Sequence, residues 1–135
     1  MTDPGRPLPR PDALTAPWFD ALRRQRILLQ YFPSCDRYQL PYSDRSQADL
    51  SEHWEWREAA GTGRVYSWAV THQVYHPAFA AEVPYVVAVV ELDEGPRLNT
   101  TLVNVDRGAI RCGMPVRVLF RELAPGGTVA VFEPA

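Results

Sequence analysis

The sequence of 135 residues predicts a mainly β fold, in which a short helix and a turn-rich segment precede a small five-stranded barrel. Apolar residues make up 46% and charged residues 22%, a composition typical of a protein with one real core. After Gly61, five runs rich in β-branched and aromatic residues are separated by turn residues. The OB-fold is the five-stranded barrel that matches this pattern best, and a β-sandwich is the alternative.

Residues 1–14 are predicted to form an extended proline-rich arm. Prolines at positions 4, 7, 9 and 11 each fix φ and remove a backbone donor. A short amphipathic helix is expected next, because Thr15 is a candidate N-cap and Pro17 suits the first helical turn. Its narrow apolar stripe contains Trp18, Phe19 and Leu22. Such a stripe must dock, either on the protein's own core or on a partner.

The chain divides into the arm, a first module over residues 15–60 and a barrel over residues 61–135. In the first module, residues 27–32 read as a strand, and a polar, turn-rich stretch without periodicity follows. In the barrel, strands are predicted near residues 84–92, 97–103, 115–123 and 128–134. The run from Val86 to Val90 is apolar on both faces, which predicts a strand covered on both sides.

Composition excludes several classes of function. All fourteen basic residues are arginine, so no lysine is available for a Schiff base or a phosphate-loop contact. The net charge of -2 predicts no broad attraction to nucleic acid or anionic lipid. Cys35 and Cys112 are too few for a disulfide framework, although one bridge stays open. Without a signal peptide or an apolar run of membrane-spanning length, a cytoplasmic location is expected.

Four segments carry a family resemblance: WFDALRRQRILLQ, WEWREAAGTGRVYSW, HPAFAAEVPYVVAVVELDEG and IRCGMPVRVLF. Together they resemble the proteins with a rubredoxin-like zinc ribbon and an OB-fold that accompany thiolase-type enzymes acting on acyl-CoA. The resemblance covers roughly residues 15–134. It implies a non-catalytic subunit in a hetero-oligomer whose partner holds the nucleophile and base for thiolysis, condensation or retro-aldol cleavage.

The ribbon of this family normally holds one zinc ion through two C-x-x-C knuckles. The resemblance places Phe32, Cys35, Ser46 and Asp49 at the four ligand positions, so one thiolate remains. The sequence therefore predicts a degenerate ribbon without structural zinc and no other cofactor. A cluster of apolar and aromatic side chains is the expected replacement, containing Tyr31, Phe32, Tyr38, Leu40, Tyr42 and Trp54. A mobile segment is the alternative, and a salvage site from Cys35, Asp49 and His53 is disfavoured.

The resemblance also implies a binding site for the partner enzyme or acyl-CoA around the HPAF segment, in the loop between the first two barrel strands. Its candidate residues are Tyr75, His76, Pro77, Phe79, Glu82 and Tyr85. The dense basic patch on the N-terminal helix is a candidate for CoA phosphates, since arginine suits phosphate geometry. This patch contains Arg23, Arg24 and Arg26. Structural packing and a solvated helix face are the respective alternatives.

Other arrangements are considered and disfavoured. His72 and His76 would share a strand face, but Pro77 opposes such a strand and no third ligand is nearby. Cys112 lacks a local histidine, so packing is favoured over acyl transfer. Tyr66 and Trp68, two residues apart, are candidates for stacking bases in an OB-fold. The freestanding alternative is therefore an OB module that binds acyl-CoA or single-stranded nucleic acid.

Overall fold

A computed structural model describes residues 7–123 and 126–135, so the first six residues of the predicted arm lie outside the described residues. One α-helix within these ranges, α1 (Ala16–Arg23), precedes two sheets. The first sheet contains β1 (Leu28–Phe32), β2 (Arg37–Gln39) and β3 (Glu55–Glu58). The second sheet contains β4 (Thr62–Thr71), β5 (Tyr85–Leu92), β6 (Arg97–Leu102), β7 (Pro115–Glu122) and β8 (Thr128–Pro134).

The second sheet closes into a barrel with the order β4-β5-β6-β8-β7. All neighbouring pairs are antiparallel except β6 and β8, which join in parallel through Leu102 and Phe132. Five strands in this order confirm the OB-fold barrel that the spacing of apolar runs predicts. The sandwich alternative is therefore wrong.

Strand alternation fills the barrel interior. Val86, Ala88 and Val90 of β5 are at most 4% exposed, whereas Val87 between them is 40% exposed. The prediction that this run is covered on both sides is therefore wrong. A closed barrel has a single interior face, so alternate residues of β5 point outward even where they are apolar.

Two glycines at the start of β4 permit the barrel to close. Gly61 adopts a φ of 82°, a left-handed conformation that other residues rarely adopt. Gly63 lies against β5 so closely that an added Cβ would stand 2.3 Å from the backbone oxygen of Glu91. The chain therefore bends at Gly61 before it enters β4, while Gly63 allows close strand approach.

The helix begins differently from the prediction. The side chain of Thr15 makes no capping hydrogen bond to α1. Instead, Oδ1 of Asp12 accepts hydrogen bonds from the backbone N–H groups of Leu14 and Thr15 and from the Thr15 hydroxyl. The bonds from the Thr15 backbone and side chain hold the pKa of Asp12 below its usual value. Pro17 does lie in the first helical turn, and Leu22 is buried against the rest of the protein.

The first sheet, with the order β2-β1-β3, forms a ribbon that two buried glutamines connect to the loop after β2. The Gln30 amide donates to the carbonyl of Ser43 at 2.8 Å and accepts from its N–H at 3.0 Å. Gln39 does the same with the carbonyl of Arg45 and the N–H of Gln47. Each side-chain amide thus bonds to the backbone of the loop after β2 as a neighbouring strand would. These bonds explain how this polar loop is ordered although its sequence has no helical or strand periodicity.

Ring contacts also hold the ribbon together, as the sequence predicts. Phe32 lies 6.0 Å from Trp54, and Tyr31 lies 4.9 Å from Tyr38, measured between ring centroids. The contacts extend beyond the predicted set, because Tyr42 packs edge-on against both Trp18 of α1 and Trp56 of β3. The helix therefore docks on its own protein, and the burial of Tyr42 raises the pKa of its hydroxyl.

Candidate docking surface

The loop between β4 and β5, residues 72–84, contains a 3-10 turn at Pro77–Phe79. His76 begins this turn, and its Nδ1 accepts a hydrogen bond of 3.0 Å from the N–H of Ala78. Pro77 follows at a position where no backbone donor is needed. The N–H groups of Phe79 and Glu82 then bond to carbonyls within the loop. Local hydrogen bonds therefore define the backbone of the HPAF segment.

Side chains fasten the loop to the barrel. The ring of Phe79 lies between those of His76 and Tyr85, at centroid distances of 6.0 and 6.4 Å. The carboxylate of Glu82 pairs with Arg121 of β7, with 2.8 Å between Oε1 and Nη2. The structure therefore brings together four of the predicted residues, His76, Phe79, Glu82 and Tyr85, and links them to β7 through Arg121.

Large apolar side chains are exposed on this loop and on the two strands that it connects. Tyr75 is 72% exposed and Val74 is 45% exposed, although the loop that carries them is held by internal contacts. The other members belong to β4 and β5, the strands that this loop connects. We define the docking surface as Tyr66, Trp68, Val74, Tyr75 and Val87. Exposed large apolar side chains of this kind mark a candidate interaction site.

A groove of about 730 Å³ lies beside this loop at the end of the barrel. Phe79 and Tyr85 form part of its wall, and buried residues of the strands, including Val86 and Val131, form an apolar floor. Arg107 and Arg121 also line this groove, and the charge of Arg121 is compensated there by Glu82. We refer to it as the barrel-end groove. Sequence reasoning missed both arginines, because they are far from the HPAF segment in the chain.

The predicted basic patch lies at the end of α1, which packs against β1 and β8. Arg23 pairs with Asp20 at 3.6 Å, and Arg26 pairs with Glu58 at 3.3 Å. Among the described residues, no carboxylate pairs with Arg24. None of the three arginines lines the barrel-end groove. The structure therefore does not gather the patch and the HPAF segment into one cavity.

His76 and Cys112 each form an ordinary hydrogen bond. Strand β4 ends at Thr71, so His72 and His76 lie in a loop rather than on a strand face. Cys112 is exposed, and its thiol donates to the carbonyl of Tyr66 at 3.6 Å. Both cysteines are free thiols, which closes the question of a bridge.

The proposed base-stacking pair is broken by a bulge between Val65 and Ser67. Beyond the bulge, Trp68 pairs with Ala88, whose side chain is in the core, so the simple alternation of faces is lost. Tyr66 is covered on one side by the guanidinium of Arg97, 3.7 Å from its ring centroid. Arg97 in turn pairs with Glu91. This arrangement disfavours a stacking platform for nucleic acid.

The residues at the four ribbon positions do not fit a zinc ion. Phe32 has no donor atom, and its ring packs against Trp54. The hydroxyl of Ser46 lies 3.5 Å from the thiol of Cys35 and accepts from the N–H of Ala48 at 3.1 Å. The Ser34 hydroxyl donates to Asp49 at 2.6 Å and holds the pKa of that carboxyl below its usual range. The polar groups at these positions thus form hydrogen bonds with other groups of the protein.

Two further properties concern the described chain as a whole. Within residues 7–123 and 126–135, no group of three or more His, Cys, Asp or Glu side chains is arranged to hold a metal ion. Over the same residues, no helix has the length and apolar character required to cross a membrane.

The fold defines a class of β protein in which a three-stranded ribbon precedes an OB-fold barrel. The family described as the ChsH2 C-terminal OB-fold domain matches residues 56–121. A solved structure named Ltp2-ChsH2(DUF35) aldolase superimposes with a TM-score of 0.84 at 42% identity, covering 94% of this chain and 98% of that one. The chain belongs to the DUF35 family.

Two curated relatives are matched over part of their length. A probable enoyl-CoA hydratase alpha subunit of Thermomonospora curvata is 43% identical over 130 residues, which is 96% of this chain but 40% of that protein. A DUF35 domain-containing scaffold protein of Methanocaldococcus jannaschii is 35% identical over 68 residues, half of this chain and 48% of the relative. This chain therefore spans less than half the length of the curated relatives it matches here.

Proposed function

We propose that this chain is a non-catalytic accessory subunit that docks on a thiolase-fold enzyme acting on acyl-CoA thioesters. The observation that carries the proposal is the exposure of Tyr75, which is 72% accessible immediately before a turn that hydrogen bonds and an ion pair hold in place. A large aromatic side chain in such a loop is ready to enter a pocket on a partner with little loss of conformational entropy.

The fastening of the loop supports a docking role over a purely structural one. His76 and Glu82 are both used to fix the loop, through Ala78 and Arg121. If the loop served only to pack the protein core, the side chains of Val74 and Tyr75 would be buried, yet both are exposed. An ordered loop that displays apolar side chains is typical of a preformed interface.

The names of the relatives support the proposal that this chain functions as a subunit of a complex. One solved relative is an aldolase named for two proteins, Ltp2 and ChsH2(DUF35), and the relative from Thermomonospora curvata is named as an alpha subunit. A matching protein of Mycobacterium tuberculosis, 36% identical over 76 residues, is a 3-oxo-4,17-pregnadiene-20-carboxyl-CoA hydratase alpha subunit. We extend to this chain a role in a cytoplasmic hetero-oligomer that acts on a CoA thioester.

We assign the chemistry to the partner, because the candidate reactive groups are otherwise engaged. The Cys112 thiol donates to a backbone carbonyl, and Nδ1 of His76 is occupied by the N–H of Ala78. Nucleophilic catalysis requires a nucleophile, a base and an orienting group in contact, and the described residues contain no such set around Cys112 or His76. The partner would supply the nucleophile and base for thiolysis, condensation or retro-aldol cleavage.

We propose that the barrel-end groove contributes to the acyl-CoA site of the complex. Its apolar floor suits an acyl or pantetheine chain, and Arg107 suits a phosphate through its planar guanidinium. Of the three helix arginines, Arg24 is the one we propose for a phosphate, because Arg23 and Arg26 already have carboxylate partners. The ribbon is proposed to hold no zinc, since its donor set does not fit that ion.

Affinity purification of the tagged chain from its native cells tests the proposal. We expect a thiolase-like subunit in stoichiometric amount by mass spectrometry, and less than a tenth of an equivalent of zinc per chain by elemental analysis. Recovery of the chain alone, or with nucleic acid, would favour a freestanding OB module instead. A full equivalent of tightly bound zinc would overturn the ribbon assignment while leaving the docking role intact.

Two substitutions at His76 separate docking from folding. His76→Ala removes the acceptor for the Ala78 N–H, so we expect the loop to lose its order and the partner to bind about tenfold more weakly. His76→Asn keeps a side-chain acceptor at the same position and should restore most of the affinity. Titration calorimetry with the purified partner measures both. Equal affinity of all three proteins would refute the assignment of this loop.

A further inference from the structure

The described part of the proline-rich arm lies against the barrel-end groove. Pro7 and Pro9 line the groove together with Phe79 and Tyr85 of the docking loop. Residues 7–11 form neither helix nor strand, and their prolines favour an extended conformation. At about 3.1 Å per residue, the five residues from Pro7 to the Asp12 turn cover roughly 15 Å. The arm therefore runs from the start of α1 to the end of the barrel.

The attachment of the arm contrasts with that of the turn that follows it. Asp12 and Thr15 are joined by several hydrogen bonds, which anchor the base of the arm at α1. By contrast, no hydrogen bond or ion pair within the described residues fixes residues 7–11 to the barrel. Pro7, Pro9 and Arg10 are exposed, and Leu8 alone among residues 7–10 is partly buried. Such an arm is held by few apolar contacts and is easily displaced.

The groove beneath the arm is apolar, and this gives a physical reason for covering it. The groove has an apolar floor that includes Leu102 and Val131, both at most 6% exposed. Exposed apolar grooves of this kind promote non-specific association. A tethered segment close to its site acts at a millimolar effective concentration, so even a weak contact keeps the groove covered.

We infer that residues 7–11 form a removable strap that shields the barrel-end groove in the free chain, with Pro7 and Pro9 at the groove and the partly buried Leu8 between them. Displacement of the strap exposes the groove while the Asp12 turn stays in place. The strap adjoins the docking loop through Phe79, so a ligand or partner that reaches the groove must first displace the arm. The inference concerns the isolated chain and does not depend on the identity of any partner.

The test uses 1-anilinonaphthalene-8-sulfonate, an apolar anion whose fluorescence rises when it binds a hydrophobic site. The full-length chain is compared with a chain that lacks residues 1–11 and with Leu8→Asp. Dye bound to the docking surface is common to all proteins and sets the baseline. We expect several-fold stronger fluorescence for the deletion and a similar rise for Leu8→Asp, because each opens the groove.

The control variant is Arg10→Gln, which changes the net charge by the same amount as Leu8→Asp but alters an exposed side chain. Its fluorescence should equal that of the full-length chain. Circular dichroism and the thermal midpoint identify any variant whose dye binding comes from unfolding, and the deletion keeps the Asp12 anchor intact. Fluorescence of the deletion and of Leu8→Asp at the level of the control would overturn the strap.

Discussion

Replacing Tyr75 by alanine is expected to weaken binding of the proposed thiolase-like partner by about 30-fold. Truncation of a central interface tyrosine typically costs about 2 kcal/mol, and each 1.4 kcal/mol changes the dissociation constant about tenfold. The side chain is 72% exposed in the free chain, so its loss should leave the thermal midpoint almost unchanged. Titration calorimetry gives the affinity, and differential scanning calorimetry gives the stability.

Leu50→Ala is the matched control for Tyr75→Ala. Leu50 is also a large apolar residue with high exposure, 67%, but it lies in the ribbon loop outside the docking surface. The control should bind the partner with unchanged affinity. If neither variant loses affinity, the interface lies elsewhere on the chain. An equal loss for both would show that the effect is not specific to the docking surface.

Replacing Gly63 by alanine is expected to lower the free energy of unfolding by roughly 3 kcal/mol or more. An added Cβ would stand 2.3 Å from the backbone oxygen of Glu91 and 3.0 Å from Cγ1 of Val90, which is buried. Backbone atoms cannot move aside as a flexible side chain does, so β4 and β5 must separate. For a domain of this size, the thermal midpoint should fall by roughly 10 °C or more.

Gly108→Ala provides the comparison, because the same methyl group would meet its nearest neighbour, Oδ1 of Asp106, at an ordinary 3.7 Å. Its midpoint should stay within a few degrees of the parent protein, as measured by circular dichroism on heating. A Gly63→Ala protein as stable as Gly108→Ala would show that the two strands have room to adjust. In that case the close approach at Gly63 does not determine barrel stability.

The barrel is predictable from sequence because its interior depends on local alternation. Val116 is buried and Arg117 is exposed within one strand, and turn residues mark where each strand ends. The exposure of Val87 was not predictable in this way. Its residue type suits either face, and only closure of the barrel determines which face is inside.

The docking surface was predictable only in part. Tyr75 and His76 are singled out by resemblance, but the pairing of Glu82 with Arg121 joins residues 39 positions apart, and no local pattern reports such a contact. The same limit applies to the ribbon. Aromatic residues there suggest a cluster, whereas the roles of Gln30 and Gln39 depend on loop carbonyls that sequence does not locate.

The glutamines of the ribbon have a consequence for how this module responds to its surroundings. A side-chain amide neither ionises in the physiological pH range nor oxidises as a thiolate does, and it does not bind zinc as thiolates do. Gln30 and Gln39 therefore hold the loop through bonds that acid, peroxide and metal chelators leave unchanged. If the ribbon holds no zinc, as proposed above, these bonds tie the order of the loop in large part to the burial of two neutral side chains.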